Sequence, residues 1–345
     1  MIPVAILGGS GYTGVELMRL IANHPELNLV AVSSRQYQGQ PVASVFGALE
    51  GRVELDFSAA EPEALARQAE LVFLAVPHQT AMAAVPTILE TGAKVVDLSA
   101  DFRLCNQTIY ERWYAPHTCP QYLSEAVYGL PEFNRQKIKA ARLVANPGCY
   151  VTSVLMALIP LLKAGLISPE GLIADSKSGV SGAGRSAKLG LLHCEVHDNF
   201  KAYSVAGHRH TPEMEQELSL AAGQEVRLTF TPHLLPIDRG ILSTIYARPI
   251  NGVGLDEVRA CWLQVFGNEQ FVRLLPPGVL PATKEVRGTN RVQLAVVQDP
   301  RSGLLKIFSA LDNLTKGASG QALQNANLML GLAEEAGLAD LAVTP

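Results

Sequence analysis

Hydrophobic positions along the first half of the chain come in short unbroken runs separated by stretches of helical spacing. Pro3 to Leu7 is a short apolar run, and Val15 to Ile21 after it has the spacing of an amphipathic helix. Strand Leu27–Val32 follows, then a helix over 61–69, then Leu71–Val76, whose continuous apolar character is that of a parallel strand buried on both faces. A helix over 80–91 and a strand over 94–98 continue the alternation. Strands alternating with helices in this way predict a doubly wound α/β sheet with right-handed crossovers. An apolar run at 143–145 and a helix from Val151 to Leu162 close this half. Beyond them the pattern changes. Segments 175–180, 225–230, 241–247, 271–275, 292–298 and 304–311 read as strands, many alternating polar with apolar, which predicts an α+β domain with a largely antiparallel sheet. A last helix over about 318–335 carries Gln321, Asn325 and Asn327 among mostly apolar residues, and is expected to return to the first domain. The expected division is therefore 1–148 with 318–345, and 149–317.

A chain of 345 residues is long for one core and suits two domains. Charged residues make up 17%, well within the globular range, and the formal charge of −4 offers no basic footprint, so nucleic acid is not an expected partner. No apolar stretch is long enough to span a bilayer, and no basic segment with a cleavage site precedes the first strand. The five cysteines form no CxxC pair and are odd in number, so no disulfide framework or zinc knuckle is expected, which fits a reducing cytoplasm.

Gly8, Gly11 and Gly14 are spaced as GxxGxxG between the first strand and the first helix, in the string Gly8-Gly9-Ser10-Gly11-Tyr12-Thr13-Gly14. This is a variant of the Rossmann dinucleotide turn, in which glycines let the backbone approach a pyrophosphate resting on the helix N-terminus. An acidic residue after the second strand would grip a free ribose 2′-hydroxyl. Ser33-Ser34-Arg35 offers hydroxyls and a guanidinium instead, which favours a 2′-phosphate and hence NADP(H). Pro77, after the Leu71–Val76 run, is expected in a loop beside the nicotinamide.

In Asn146-Pro147-Gly148-Cys149-Tyr150, proline and glycine break regular structure just ahead of Cys149, setting its thiol on a tight turn at a helix N-terminus. The unpaired N–H groups and dipole there stabilise a thiolate and can hold an oxyanion. A thiolate that attacks a phosphorylated carboxyl group needs a base, donors for the oxyanion and cations for the phosphate. His208 and His210, alternate residues of a turn entering a helix with Thr211 as cap and Pro212 first, can supply the base and a donor. Arg103, after the strand over 94–98, and Arg185, in a loop of small residues, are candidates for phosphate or carboxylate. A zinc site at the two histidines lacks further ligands, and no metal is expected.

Together the strings resemble the N-acetyl-γ-glutamyl-phosphate reductases, relatives of aspartate-semialdehyde dehydrogenase. The resemblance covers nearly the whole chain and rests on the glycine turn, on Leu98-Ser99-Ala100-Asp101-Phe102-Arg103, on Tyr128-Gly129-Leu130-Pro131-Glu132 and on the Cys149 string. It extends through residues 178–185, Gly207-His208-Arg209-His210-Thr211-Pro212-Glu213 and Thr231-Pro232-His233-Leu234-Leu235-Pro236. It implies that Cys149 is the nucleophile, that NADPH is the reductant, and that the substrate becomes N-acetylglutamate 5-semialdehyde in arginine biosynthesis. It implies His208 as the base, His210 as the group stabilising the carbonyl oxygen, and a homodimer or homotetramer built through the second domain. The competing readings are a reductase of aspartyl phosphate or of a carrier-linked acyl phosphate, and a non-catalytic NADP-binding sensor. The last has no use for a helix-end cysteine beside two histidines.

Overall fold

The computed structural model describes residues 1–59, 61–250 and 252–342. The chain forms two compact units, Met1–Pro147 with Ala318–Asp340, and Gly148–Gly317 with Leu341 and Ala342.

The first unit holds seven strands: β1 (Ile2–Leu7), β2 (Leu27–Ser33), β3 (Phe57–Ser58), β4 (Leu71–Leu74), β5 (Lys94–Asp97), β6 (Val127–Tyr128) and β7 (Leu143–Ala145). They form one sheet in the order β3-β2-β1-β4-β5-β7-β6, and each neighbouring pair is parallel. All four residues of β4 are wholly buried, which is why that strand reads as an unbroken apolar run. Its helices before the linker are α1 (Tyr12–Ala22), α2 (Val42–Val45), α3 (Pro62–Ala66), α4 (Ala81–Glu90), α5 (Gln107–Trp113) and α6 (Pro131–Ala140). The strand order reverses between β1 and β4, so their carboxyl ends flank the crevice where open α/β sheets bind ligands.

The second unit contains α7 (Cys149–Lys163), β8 (Leu172–Gly179), α8 (His193–Val196), β9 (Lys201–Ala202) and α9 (Thr211–Ala222). After these come β10 (Leu228–Leu235), β11 (Ile241–Ala247), α10 (Leu255–Phe266), β12 (Val272–Leu274), β13 (Val292–Gln298) and β14 (Leu305–Leu311). The sheet order is β12-β13-β14-β11-β8-β10-β9. This sheet is mixed, because β10 runs parallel to β8 and β12 parallel to β13, while the remaining pairs are antiparallel. Helix α7 packs on β11 and β14 and against α9 and α10, and residues 150–162 are all buried. Each large side chain in such a helix contributes about 1.5–3 kcal/mol by leaving water. The start of α7 is therefore held by its whole length.

Local departures from the expected elements have physical causes. The strand expected over 225–230 starts later and runs on through Pro232, because N–H groups of Val226 and Leu228 are taken by Ser219 Oγ and Glu215 Oε1 of α9. Pro232 is tolerated there because β9 pairs only with His233 and Leu234, so no ladder bond is lost at the proline. The last helix, α11 (Gly320–Leu330), is preceded by a wide turn at Thr315–Ser319 and ends at Gly331, whose φ of 73° is open to glycine at no steric cost. Its polar side chains are buried and bonded within the first unit. Asn325 Nδ2 donates to Gly129 O and Asn146 Oδ1, and Asn327 Nδ2 donates to Glu334 O and Ala336 O. Among the described residues no helix is long and apolar enough to cross a membrane.

Candidate active site

The first unit has a cavity of about 740 Å³ at the carboxyl ends of β1 and β4. Gly8, Ser10, Ser33, Ser34, Arg35 and Pro77 line it. Gly8 has a φ of 90°, and a Cβ there would meet Ala75 O at 2.6 Å, so only glycine lets the turn pass this close to the end of β4. Gly11 caps α1, while Tyr12, Thr13 and Gly14 form its first turn, outside the cavity lining. The two serines have structural work. Gly8 N donates to Ser33 Oγ (3.2 Å), and Ser34 Oγ donates to Ser10 Oγ (2.9 Å), so both hydroxyls fasten the glycine turn to the end of β2. Arg35 is exposed on the lining, the one cation among the described lining residues. Glu61 and Glu63 also line the cavity and carried no motif by which to single them out.

The wall beyond Pro77 is organised by buried carboxylates. Asp101 accepts from the N–H groups of Gln79 (2.7 Å) and Met82 (3.1 Å) and from Tyr110 Oη (2.8 Å). Asp97, wholly buried, has its carboxyl pushed up to about 7, first by burial and then by Asp101, while bonds from Ser99 pull the other way. Arg103 is buried too. Its Nε donates to Asn146 O (2.7 Å) and a terminal nitrogen to Leu98 O (2.8 Å), so part of its guanidinium braces the strand ends. Asn146 in turn bonds through its N–H to Asp97 O and through its amide to Ala318 O and Asn325 Nδ2. The turn entering the cysteine string is thus anchored at each polar group of Asn146.

In the second unit Cys149 is the first residue of α7, two residues earlier than the expected helix start, with Gly148 as cap. His210 is the cap of α9, because Met214 N donates to its carbonyl; Thr211 and Pro212 are the first two helical residues rather than cap and first. The packing of α7 against α9 brings these two helix starts together. A Cβ at Gly148 would meet His210 Nε2 at 2.5 Å, so glycine makes the room in which the imidazole lies against the residue preceding Cys149. Glu213, buried in the first turn of α9, accepts from Gly148 N (3.0 Å). Sequence reasoning passed over this carboxylate, although Glu at the third position of a helix is an ordinary capping residue.

His208 is differently placed. Its ring meets those of Tyr150, Tyr203 and Phe230 edge-on, with centroids 5.3–5.6 Å away, and its Nδ1 accepts from His210 N (3.1 Å). Burial, and secondarily the charge of Arg209, push its pKa down to about 4. Tyr203 Oη donates to Tyr150 Oη (3.2 Å), which donates to His233 O (3.0 Å). Arg185 is exposed on the loop after β8. The other cysteines lie elsewhere. Cys119 is buried with its thiol on Met82 O and pushed up to about 11 by burial, Cys261 meets Pro160 O, and Cys105 and Cys194 are exposed. Cys149 is half-buried at the start of the fifteen-residue α7, with the His210 ring against the residue before it. Among the described residues no cluster of His, Cys, Asp and Glu could hold a metal ion.

Residues 3–141 match the semialdehyde dehydrogenase NAD binding domain, and residues 149–313 the semialdehyde dehydrogenase dimerisation domain. Solved structures of similar fold include aspartate semialdehyde dehydrogenase II of Vibrio cholerae complexed with ASA, with a TM-score of 0.72 and 17% identity, covering 96% of this chain and 98% of that one. The Candida albicans aspartate semialdehyde dehydrogenase with NADP gives 0.71 and 17%, covering 96% and 98%. At that identity the likeness concerns fold. Curated relatives are far nearer: the N-acetyl-gamma-glutamyl-phosphate reductases of Geobacter sulfurreducens and Geobacter metallireducens are 53% and 54% identical, over 100% of both chains. That of Desulfotalea psychrophila is 53% identical over 98% of each. The chain belongs to the N-acetyl-γ-glutamyl-phosphate reductases, within the semialdehyde dehydrogenase family.

Proposed function

We propose that this protein reduces N-acetyl-γ-glutamyl phosphate to N-acetylglutamate 5-semialdehyde, with release of phosphate, through a thioester on Cys149. The observation that carries the reading is the meeting of two helix starts, with the His210 ring seated on Gly148 beside Cys149. Residues 1–148 with 318–345 serve as the NADP-binding domain and 149–317 as the catalytic and oligomerisation domain. The Cys149 thiolate attacks the acyl carbon, the carbonyl oxygen takes up charge, and phosphate departs to leave the thioester. The dipole of α7 and its first N–H groups favour both the thiolate and the developing oxyanion. Bound NADPH supplies the hydride that takes the thioester to the aldehyde level. When the thiolate leaves the product, a proton can be returned to it from the neighbouring imidazole.

We assign the proton-transfer role to His210, an exchange of the order that the resemblance implies. Its ring adjoins Gly148, whereas His208 is packed among aromatic rings and stays neutral at any pH above about 5 because its pKa is held near 4. His208 then orients His210 by accepting its backbone N–H. Arg103 and Arg185 are the proposed phosphate and carboxylate contacts. Self-association through the second sheet is supported by its more open face, where Ile173 and Val297 are 40% and 36% exposed. A biosynthetic role of this kind fits the cytoplasm.

For the cofactor, the cavity at β1 and β4 fits a dinucleotide, and the glycine turn that leads into α1 borders it. Arg35, with the Ser33 and Ser34 hydroxyls beside it on the lining, is the charged group that reads a 2′-phosphate. Arg35→Ala is expected to weaken NADP(H) by about 1.5–3 kcal/mol, or roughly 10–100-fold, with NADH use nearly unchanged. Titration of both cofactors against the variant checks this, and equal weakening of the two would mean that the phosphate is read elsewhere. The activity itself is tested by supplying purified protein with N-acetylglutamate 5-semialdehyde, NADP and phosphate. NADPH formation that requires phosphate and is not matched by aspartate semialdehyde supports the reading; preference for aspartate semialdehyde overturns it.

A further inference from the structure

Cys149 is backed on a second side by the wide turn that follows β14. A Cβ on Gly317 would meet Cys149 Cβ at 2.9 Å, Cys149 Cα at 3.3 Å and Asp312 O at 3.2 Å. Gly317 N donates to that same carbonyl (2.9 Å), which closes the turn over residues 312–317. The turn is shaped by the wholly buried Asp312 carboxylate. Its Oδ1 accepts from Leu314 N (2.8 Å) and Thr315 N (3.3 Å), and its Oδ2 from Gly288 N (2.7 Å) and Arg239 Nε (2.9 Å). Asn313 extends the network, accepting from Gly240 N (2.7 Å) and donating to Ser181 Oγ (2.9 Å). So many donors on one side chain require two acceptor oxygens. An asparagine has one, and it would turn an amide donor toward Arg239 or the backbone N–H groups.

We propose that Asp312 and Gly317 are positioning residues for the nucleophile. The carboxylate holds the turn in shape, and the glycine lets the turn's backbone seat directly against the cysteine, fixing the thiol at the start of α7 beside His210. The inference rests on Cys149 being the nucleophile. It goes further in locating what holds that nucleophile, and in predicting that a single methyl group at residue 317 displaces it.

The test uses the full-length protein with Gly317→Ala and Asp312→Asn. The rate of alkylation of Cys149 by iodoacetamide is followed across pH by peptide mass spectrometry, which separates it from exposed Cys105 and Cys194. Displacement by a fraction of an ångström is expected to lower kcat about 10–100-fold in Gly317→Ala. Its alkylation profile is expected to move to higher pH, while KM for NADPH stays within about twofold. Asp312→Asn is expected to lower kcat and move the alkylation profile to higher pH in the same way, again with KM for NADPH nearly unchanged. Should Asp312→Asn fail to fold, Gly317→Ala decides alone. If folded Gly317→Ala alkylates and turns over as the parent does while Cys149→Ser is inactive, the positioning inference is overturned and the nucleophile reading stands. If Cys149→Ser turns over, it is the nucleophile reading that fails.

Discussion

Serine in place of Cys149 leaves a folded protein that still binds NADP(H) and has lost at least about 10³-fold in kcat. The hydroxyl is far less acidic than a thiol, and neither a helix dipole nor an adjacent imidazole brings it to a useful anionic fraction at neutral pH. Serine is close to cysteine in size, so the packing of Gly317 and Gly148 around the site is retained. Replacing Cys105, Cys119, Cys194 or Cys261 by serine leaves turnover largely intact, since burial pushes the Cys119 and Cys261 thiols up and Cys105 and Cys194 are exposed away from the start of α7. Initial rates with N-acetylglutamate 5-semialdehyde, NADP and phosphate, together with NADP(H) titration, check both halves of the statement. Substantial turnover by Cys149→Ser would remove the covalent mechanism.

The second large effect is expected at His210. His210→Ala removes the ring seated on Gly148, and kcat near neutral pH falls by about 10²–10⁴, the usual worth of a positioned acid–base group. In the direction of aldehyde oxidation the deficit narrows at alkaline pH, where the thiol ionises without a base. His208→Ala behaves differently. With its pKa held near 4, His208 is neutral throughout the neutral and alkaline range and contributes no titration there. Its loss lowers the rate by a similar factor at each pH, through disorder of the His210 backbone and of the Tyr150, Tyr203 and Phe230 rings around it. Two pH–rate profiles distinguish the roles. Alkaline rescue of His208→Ala but not of His210→Ala would exchange them.

Much of the first unit was legible because parallel strands covered on both faces read as continuous apolar runs, as β4 does. Strands β11 and β13 fall where the sequence placed them; β11 alternates over all seven residues, which leaves one sensible register, and β13 is an apolar run bounded by polar residues. The direction of pairing was not legible. Alternation says that one face is buried, and it is silent on whether a neighbour runs parallel, so β10 beside β8 and β12 beside β13 make the sheet mixed. Helices α6 and α10 escaped notice, the first because only three of its residues are buried and its face is mostly charged. In the site, Cys149 could be read from its own string because proline and glycine mark the helix start. Glu213, Asp312 and Gly317 could not, because each acts through a backbone group brought near by folding. The same holds for the bonds that Ser33 and Ser34 make to the glycine turn, which their residue type alone does not show.

The central claim is that the acyl group passes through Cys149, and mass spectrometry of the intact protein and its peptides addresses it directly. The protein is mixed with N-acetyl-γ-glutamyl phosphate in the absence of NADPH, quenched in acid, and the acyl adduct is located. The expected result is one N-acetylglutamyl group on the peptide carrying Cys149, lost when NADPH is added before the quench and absent from Cys149→Ser. Full turnover with no adduct at Cys149, or an adduct there that NADPH fails to discharge, would contradict the account.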